Sequence, residues 1–369
     1  MIELREATHY VSDKINVSSL KTKEYITTDN MLPNRGGIVD CESLPQANRV
    51  TRYHPGDILV SNIRPYFKKI WFADRIGGCS NDVIVFRAND DNWNKKFLYY
   101  VLSQDSFFDF MMAGANGTKM PRGNKKTIPE FLIPEYDIEK QTRIAEILST
   151  YDNLIENNKK QIKLLEEAAQ RLYKEWFVDL HFPGYENVKI VDGVPNGWGK
   201  ELVGDIIGKI PRTKQIKATE YLSEGLTPVI DQSRDFIAGY TNENDAIVNV
   251  GVPVIVFGDH TRILKYIQFP FAKGADGTQL IISDRDNMPQ SLLYLSLIAV
   301  DLSNYHYARH FKYLKAESVL VPTQKIADEF DRLVSPMFNQ VQKLRDKCNK
   351  LSQARNILLP RLMNGEIEV

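Results

Sequence analysis

The chain carries short clusters of basic side chains, although it contains 47 Lys and Arg against 47 Asp and Glu and has no net charge. Residues 115–126 hold four positive charges and no acid, and residues 61–75 hold four against one acid. A guanidinium group can bond guanine O6 and N7 together, whereas an ammonium group mostly neutralises phosphate. Both clusters therefore suit contact with a DNA duplex. A solvated surface loop has the same composition, so charge alone leaves the choice open.

The candidate residues of the first half fall into two groups. One follows a predicted strand, at a turn that Pro65 would hold, and the other is a Gly- and Asn-containing segment ahead of a long helix. The second group suits close approach to a phosphate backbone, and its alternative is a flexible linker into the helix. The residues are Arg64, Tyr66, Lys68, Lys69, Lys119, Arg122, Asn124, Lys125 and Lys126.

The second half repeats both settings with other side chains. Three candidates follow a strand at a place comparable to Arg64, and three precede the second long helix, where residues 122–126 precede the first. The residues are His260, Thr261, Arg262, Arg309, His310 and Lys312.

Two other polar groups of the second half have a simpler interpretation. Asp276, in the turn Gly274–Gly277, could accept a hydrogen bond from cytosine N4, but capping of its own turn is the favoured role. His306 and His310 are four residues apart, yet no carboxylate completes a ligand set, so no metal site is predicted.

Catalytic motifs do not fit the sequence. Asn62–Tyr66 superficially resembles the Asn-Pro-Pro-Tyr motif of amino-methyltransferases, but Ile63 and Arg64 replace the prolines and no glycine-rich turn for a methyl donor precedes them. Gly197–Lys200 is followed by Glu, so it is not a phosphate-binding loop. No paired carboxylates suggest a nuclease. The sequence predicts a non-catalytic chain without a cofactor.

Composition indicates an intracellular protein. The three cysteines are far apart and form no CxxC pair, which fits a reducing cytoplasm and predicts neither a disulfide nor a zinc site. The N-terminus does not look like a signal peptide. The longest apolar stretch, around Ser291–Val300, is far shorter than the roughly 20 residues that span a bilayer, so no membrane association is expected.

The elements that would position the candidate residues occur twice. Phe131–Pro134 opens a long amphipathic stretch, and Val319–Pro322 opens another one. Each follows a globular segment with short strands and one helix, the first helix being predicted around Lys95–Met112. The predicted strands are 57–60, 69–72, 82–86, 253–257, 266–269 and 279–282. A tandem repeat of a globular unit and a long helix favours a pseudo-twofold object.

Apolar residues in both long stretches keep a 4-3-4-3 spacing, which makes a narrow seam that must face another helix. Two seams of matching length most simply pack on each other, and an antiparallel pair avoids crowding both units at one end. Asn158 would fix the register, and Pro336 should kink or restart the second helix. The predicted seam residues are Ile144, Leu148, Tyr151, Ile155, Asn158, Ile162, Leu165, Leu172, Trp176, Val341, Leu344, Leu351, Leu358 and Leu362.

The predicted fold class is therefore α+β, with two recognition domains of mixed strands and helices separated by an antiparallel coiled coil. The first domain is predicted at residues 1–136 and the second at 181–322. The spacer helices are predicted at 137–180 and 323–369.

With this repeat and these paired helices, the chain resembles the specificity subunit of type I restriction–modification systems over essentially its whole length. The order of several local segments within the repeat carries the resemblance. These segments are Gly56–Tyr66, Glu139–Leu148, Pro195–Trp198, Gly258–Thr261 and Ala275–Thr278. One departure is that the first unit lacks an opening like that at Trp198, so its first strand is expected to be trimmed or divergent.

The resemblance implies two target-recognition domains that bind double-stranded DNA through the candidate residues. Because the two units differ in sequence, the target should be asymmetric and bipartite. The resemblance also implies a subunit without catalysis that docks two methyltransferase subunits and, in the full complex, restriction subunits. The alternative from another class is a coiled-coil scaffold that never binds DNA, against which the matching basic loops argue.

Overall fold

A computed structural model of the chain describes residues 1–305 and 309–369. The chain forms two compact units, one of residues 1–156 with 348–369 and the other of residues 157–347. Each unit combines strands and short helices with parts of two long helices. The predicted boundaries near residues 136, 180 and 322 stay a prediction, because each compact unit groups its globular part with nearby helix segments.

The first unit contains ten strands and three short α-helices among its described residues. The strands β1 to β10 are Ile2–Glu3, Thr8–Tyr10, Lys14–Asn16, Tyr25–Ile26, Arg49–Tyr53, Ile58–Ser61, Ile70–Phe72, Gly77–Cys79, Val83–Ala88 and Leu132–Ile133. The helices α1 to α3 are Leu4–Ala7, Lys95–Leu102 and Asp105–Ala113.

Two four-stranded sheets form the centre of the first unit. One has the order β2-β9-β6-β7 and is antiparallel throughout. Its two central strands, β6 and β9, are apolar where they pair, over Ile58–Ser61 and Val83–Phe86. The other has the order β3-β5-β8-β4, with β4 parallel to β8. The expected divergent first strand is present but short, and β1 pairs with β10.

The single helix predicted around Lys95–Met112 is two helices. Asn94 caps the first by accepting from the amides of Lys96 and Phe97 at 3.0 Å each. The helix then ends at Ser103, whose hydroxyl donates to the Tyr99 carbonyl at 2.6 Å. The break lies at Gln104, whose backbone is extended with φ −69° and ψ 152°, and the apolar pattern did not indicate it.

The second unit repeats this arrangement. Its strands β11 to β21 are Ile190–Val191, Val194–Pro195, Gly199–Leu202, Thr227–Ile230, Gly239–Thr241, Ile247–Val248, Val254–Gly258, Leu264–Ile267, Phe271–Lys273, Thr278–Ile281 and Ser318–Val321. The two short α-helices among its described residues, α5 and α6, are Gln290–Ala299 and Phe311–Ala316. The sheets have the orders β18-β17-β20 and β15-β14-β19-β16, with β14 parallel to β19, and β13 pairs with β21 as β1 pairs with β10.

The two long helices are α4, Ile138–Tyr173, and α7, Gln324–Met363. A π-helical turn, Lys174–Val178, extends α4 and contains Trp176. Of the two predicted effects of Pro336, a restart of α7 is wrong, because the helix is continuous through it, while a kink stays a prediction. A helix-interior proline costs about 3 kcal/mol, but buried side chains on both sides of it pack into the core of the second unit and offset that cost.

Within each unit the two helices pack antiparallel. In the first unit the Tyr136 hydroxyl donates to the Met363 carbonyl at 2.9 Å, while Asp152 pairs with Arg355 at 2.5 Å. In the second unit Glu166 pairs with Arg345 at 2.6 Å, and the ring of Trp176 lies 5.5 Å from that of Phe330. The predicted seam residues are all buried or half-buried. The predicted α+β class with paired long helices is confirmed.

Candidate nucleic-acid interface

Four segments of the first unit meet at one end of its sheets. Turn 62–69 follows β6, segment 114–127 follows α3, turn 80–82 joins β8 to β9, and loop 27–39 follows β4. The Arg64 amide donates to the Pro121 carbonyl at 2.8 Å, the Asn62 amide to Asp82 at 2.8 Å, and the Arg35 amide to Lys68 at 2.9 Å. The two basic clusters, predicted separately from the sequence, therefore lie side by side.

The candidate side chains of turn 62–69 differ in how available they are to contact DNA. Arg64 has a left-handed backbone, with φ 48° and ψ 64°, and Tyr66 is 48% exposed. Lys68 pairs with Asp105 at 2.8 Å, and the Lys69 ammonium donates to the Thr28 carbonyl at 2.6 Å. Burial lowers the pKa of Lys69. Arg64 and Tyr66 remain the better candidates for reading bases, because both lysines already bind the protein.

Segment 114–127 presents most of its charge to solvent. Asn116 and Arg122 exchange two backbone hydrogen bonds of 2.9 Å, which close an exposed loop containing Lys119. Arg122 approaches Asp82 at 3.3 Å, and the Asn124 side chain accepts from the Lys126 amide at 3.0 Å. Asn124 therefore shapes the turn that presents Lys126.

Lys125 is attached to the rest of the unit through its main chain as well as its side chain. Its carbonyl accepts from the Tyr10 hydroxyl at 3.0 Å, and its exposed ammonium donates to the Asn81 carbonyl at 3.3 Å. This end of the segment is therefore an ordered part of the unit, not only a flexible linker.

The second unit brings together the equivalent segments. Turn 259–263 follows β17, turn 274–277 joins β19 to β20, loop 231–238 follows β14, and residues 309–312 precede and begin α6. The Asp259 amide donates to a carbonyl of turn 274–277 at 2.7 Å, as the Asn62 amide donates to turn 80–82.

A second pair of hydrogen bonds supports the equivalence of the two units. The Asn62 carbonyl accepts from the Gly123 amide at 3.1 Å, and the Asp259 carbonyl accepts from the His310 amide at 2.9 Å. The segment that precedes each long helix is thus attached to the end of the central strand in the same way. The two units have one arrangement of loops built from different side chains.

The prediction that the His310 side chain contacts DNA is corrected. The residue is 5% exposed, and its ring nitrogens lie 2.8 Å from the Asp259 carbonyl oxygen and 2.9 Å from that of Tyr305. Each ring nitrogen thus faces a carbonyl oxygen, and the tautomer decides which of the two nitrogens donates. His310 therefore holds the segment in place. His306, considered with it as a metal-binding pair, lies outside the described residues.

The other candidates of the second unit are more accessible. His260, Thr261, Arg309 and Lys312 are exposed. The Arg262 guanidinium donates to the Leu302 carbonyl at 3.0 Å, so the first role of this side chain is to fix the turn. The Arg262 backbone lies in the left-handed region, with φ 60°.

Sequence reasoning missed Gln232. Its backbone carbonyl accepts from the Thr261 hydroxyl at 2.7 Å, and its side chain contacts both exposed turns of the second unit. An Asp-Gln-Ser sequence directly after the strand Thr227–Ile230 indicates a turn, which is the one signal that could have drawn attention to it.

Two structural features are absent from the described part of the chain. No group of three or more His, Cys, Asp or Glu side chains there is arranged to hold a metal ion. None of its helices combines the length and apolar character needed to cross a bilayer.

Comparisons with known proteins agree with this architecture. Residues 13–167 match the family described as the type I restriction modification DNA specificity domain. The chain is 26% identical over 302 residues to the type I restriction enzyme MjaIX specificity subunit of Methanocaldococcus jannaschii, covering 74% of this chain and 69% of that protein. It is 27% identical over 187 residues to the HindI specificity subunit of Haemophilus influenzae, covering 48% and 40% respectively.

A solved structure shows the same fold. The S subunit of a type I restriction-modification system from M. genitalium matches 98% of this chain and 99% of that chain, with a TM-score of 0.55 and 18% identity.

The matched family and the curated relatives are DNA specificity domains and specificity subunits of type I restriction systems. More particularly, the chain is similar to type I specificity subunits, and residues 13–167 match the specificity domain. The resemblance found in the sequence is confirmed.

Proposed function

We propose that the two units read the two halves of an asymmetric, bipartite DNA target. The observation that carries this proposal is the repeated arrangement of loops with unlike side chains. Arg64 and Tyr66 follow the central strand in the first unit, where His260 and Thr261 follow it in the second. Different donors and acceptors at one place favour different bases, so the two half-sites should differ in sequence.

The exposed lysines have a separate role in this proposal. Lys119, Lys125 and Lys126 in the first unit, with Arg309 and Lys312 in the second, neutralise phosphates and position the duplex without selecting bases. The paired long helices serve as a spacer between the half-sites.

The remaining parts of the proposal concern partners. The chain supplies neither catalysis nor a cofactor. It works in the cytoplasm with two methyltransferase subunits, and with restriction subunits where these are present. The methyl-transfer chemistry then belongs to the partner, which acts on DNA that this chain has selected.

The test measures DNA affinity of the chain with its methyltransferase partner by gel shift across a range of salt concentrations. In the triple variant Lys119→Ala, Lys125→Ala and Lys126→Ala, the slope of log affinity against log salt should fall by about 0.9 for each phosphate that the chain no longer neutralises. Base preference should stay the same, since phosphate contacts carry no sequence information.

A matched control removes three exposed lysines from the opposite ends of the strands. Lys21 and Lys23 precede β4, and the stem of Lys95 lies against Gly56 ahead of β6. Their replacement by Ala should leave the salt slope unchanged. Equal slopes in both variants would refute the assignment of the segment, and absence of any DNA binding by the wild-type complex would favour the scaffold alternative.

A further inference from the structure

We propose that Gln232 is a positioning residue that sets the distance between the two exposed turns of the second unit and thereby determines base preference in one half-site. This inference rests on the proposed function, because it assigns the same interface a further residue.

The side chain of Gln232 bridges the two turns. Its Oε1 accepts from the His260 amide at 3.1 Å, and its Nε2 donates to the Asp276 carbonyl at 2.8 Å. Only this orientation of the amide satisfies a donor on one side and an acceptor on the other. The Gln232 amide therefore joins turn 259–263 to turn 274–277, in addition to the backbone hydrogen bond from the Asp259 amide to the second turn.

The backbone of Gln232 is fixed independently of those bonds. The Asp231 carboxylate accepts from the Ser233 amide at 2.9 Å and from the Ser233 hydroxyl at 2.6 Å, which closes a turn around residue 232. The other Asp231 oxygen lies 3.3 Å from the Tyr221 hydroxyl, and burial raises the pKa of Tyr221 to about 12. The backbone from which the Gln232 side chain extends is therefore held in place by these hydrogen bonds.

Loop 231–238 is also held farther along. The buried Lys265 ammonium donates to the Asp235 carbonyl, and the Arg345 guanidinium lies 4.0 Å from the centre of the Phe236 ring. A side chain on a loop held at both ends can set a distance between its partners, which a mobile side chain cannot.

Glycine at position 277 allows the turns to approach this closely. Its φ is 83°, and a Cβ atom there would lie 2.7 Å from both the Gln232 Nε2 and the His260 ring. His260, Thr261 and Asp276 are arranged around this contact, with His260 and Thr261 exposed. A bridge beneath exposed side chains is the arrangement expected of a support for base-reading groups.

The experiment uses the full chain with its methyltransferase partner and a library of DNA duplexes with both half-sites randomised, and sequencing reports which duplexes are methylated. Gln232→Ala should reduce preference for the favoured base about tenfold at one or two positions of a single half-site. Arg64→Ala should relax the other half-site, which assigns each half to its unit. The salt dependence of binding should not change for Gln232→Ala.

Two further variants separate positioning from general structure. Gln232→Asn keeps the amide on a shorter side chain that does not span both turns, so it should relax the same positions while folding normally. Gln215→Ala removes bonds of 3.1 Å to Gly274 and 3.3 Å to Asp276 but leaves the bridge to turn 259–263, so base preference should stay intact.

Unchanged base ratios in Gln232→Asn, or equal relaxation of both half-sites, would overturn the inference. A uniform loss of methylation with a lowered melting temperature would do the same, since that is the effect of a structural role alone. If the wild-type complex shows no bipartite preference, the proposed function itself fails, and that result is visible before any variant is compared.

Discussion

Buried polar side chains hold the exposed loops of the second unit, and Lys265 is the clearest example. Its side chain is 4% exposed and lies 4.0 Å from Asp231. Burial lowers its pKa from the ordinary value of 10.5, and the two nearby carboxylates, Asp231 and Asp235, only partly counter this effect. A charged amine in such a place costs stability unless the surrounding carbonyl and carboxylate groups are held in position.

This lowered pKa predicts a pH dependence of stability. Between the lowered value and 10.5 the unfolded chain binds more protons at Lys265 than the folded chain does, so the free energy of unfolding should rise with pH across that window. In Lys265→Met that contribution is absent. Urea unfolding from about pH 7 to about pH 10 should show the wild type gaining stability relative to the variant.

The matched control is Lys209→Met, at an exposed position. The difference in the free energy of unfolding between this variant and the wild type should stay the same over that pH range. A constant difference for Lys265→Met would contradict the assignment of a lowered pKa.

Some residues of the candidate interface can be named from the sequence alone and others cannot, for a physical reason. Lys119 and Arg122 stand out because charge and exposure are local properties. His310 and Gln232 act through partners 51 and 28 residues away, so their roles depend on which turns the fold brings together. No spacing in the chain encodes those pairings.

At the scale of elements, the paired helices combine an apolar seam with one conspicuous polar position. Asn158 is 3% exposed, and its Nδ2 has no hydrogen-bond partner among the described residues. An unpaired buried amide costs about 1–3 kcal/mol, and such a residue persists in helix pairs where it fixes register.

Asn158→Leu is therefore expected to raise the free energy of unfolding by about 1 kcal/mol, measured by urea denaturation, because it removes an unpaired donor from the interior. Asn157→Leu is the control on the neighbouring, exposed position and should change stability little. A loss of stability in Asn158→Leu alone would mean that the amide is satisfied in solution.

The strands show how much secondary structure can be predicted from the local pattern of apolar residues. Ile58–Ser61 and Val254–Gly258 were predicted to within a residue, because continuous β-branched and apolar runs bounded by turns have few alternatives. The parallel pairing of Tyr25–Ile26 with Gly78–Cys79 was not predictable, since two-residue strands carry no signal of their partner. Helix spacing succeeded for the seam and failed at Gln104, whose extended backbone separates the two short helices.

At the scale of the whole molecule, the proposed function has each of the two units select one half of the DNA target, because both carry the same arrangement of loops. Specificity for the full target is then the product of two half-site preferences, so a protein with modest discrimination per base can reject most sequences. Under the proposal, the helices determine which spacing between the halves is accepted.

Insertion of one heptad into both long helices, after residues 157 and 347, tests that role. Seven residues lengthen a helix by about 10 Å, close to three base pairs of duplex. Sequencing of methylated sites should show a gap longer by about three base pairs with unchanged bases on either side.

Insertion into only one helix is the control, and it should abolish methylation because the seam no longer matches. Altered bases or an unaltered gap in the double insertion would exclude the helices as the spacer.

The division of the first unit between distant parts of the chain has a consequence for how the protein is made. Leu359, Leu362 and Met363 complete the same core as Leu4 and Phe107, yet the ribosome adds them only after the entire second unit. During translation part of the apolar surface of the first unit stays uncovered until residues 348–369 are made, whereas the second unit can fold before then. A segment that follows the second unit in the chain thus completes the core of the unit that precedes it.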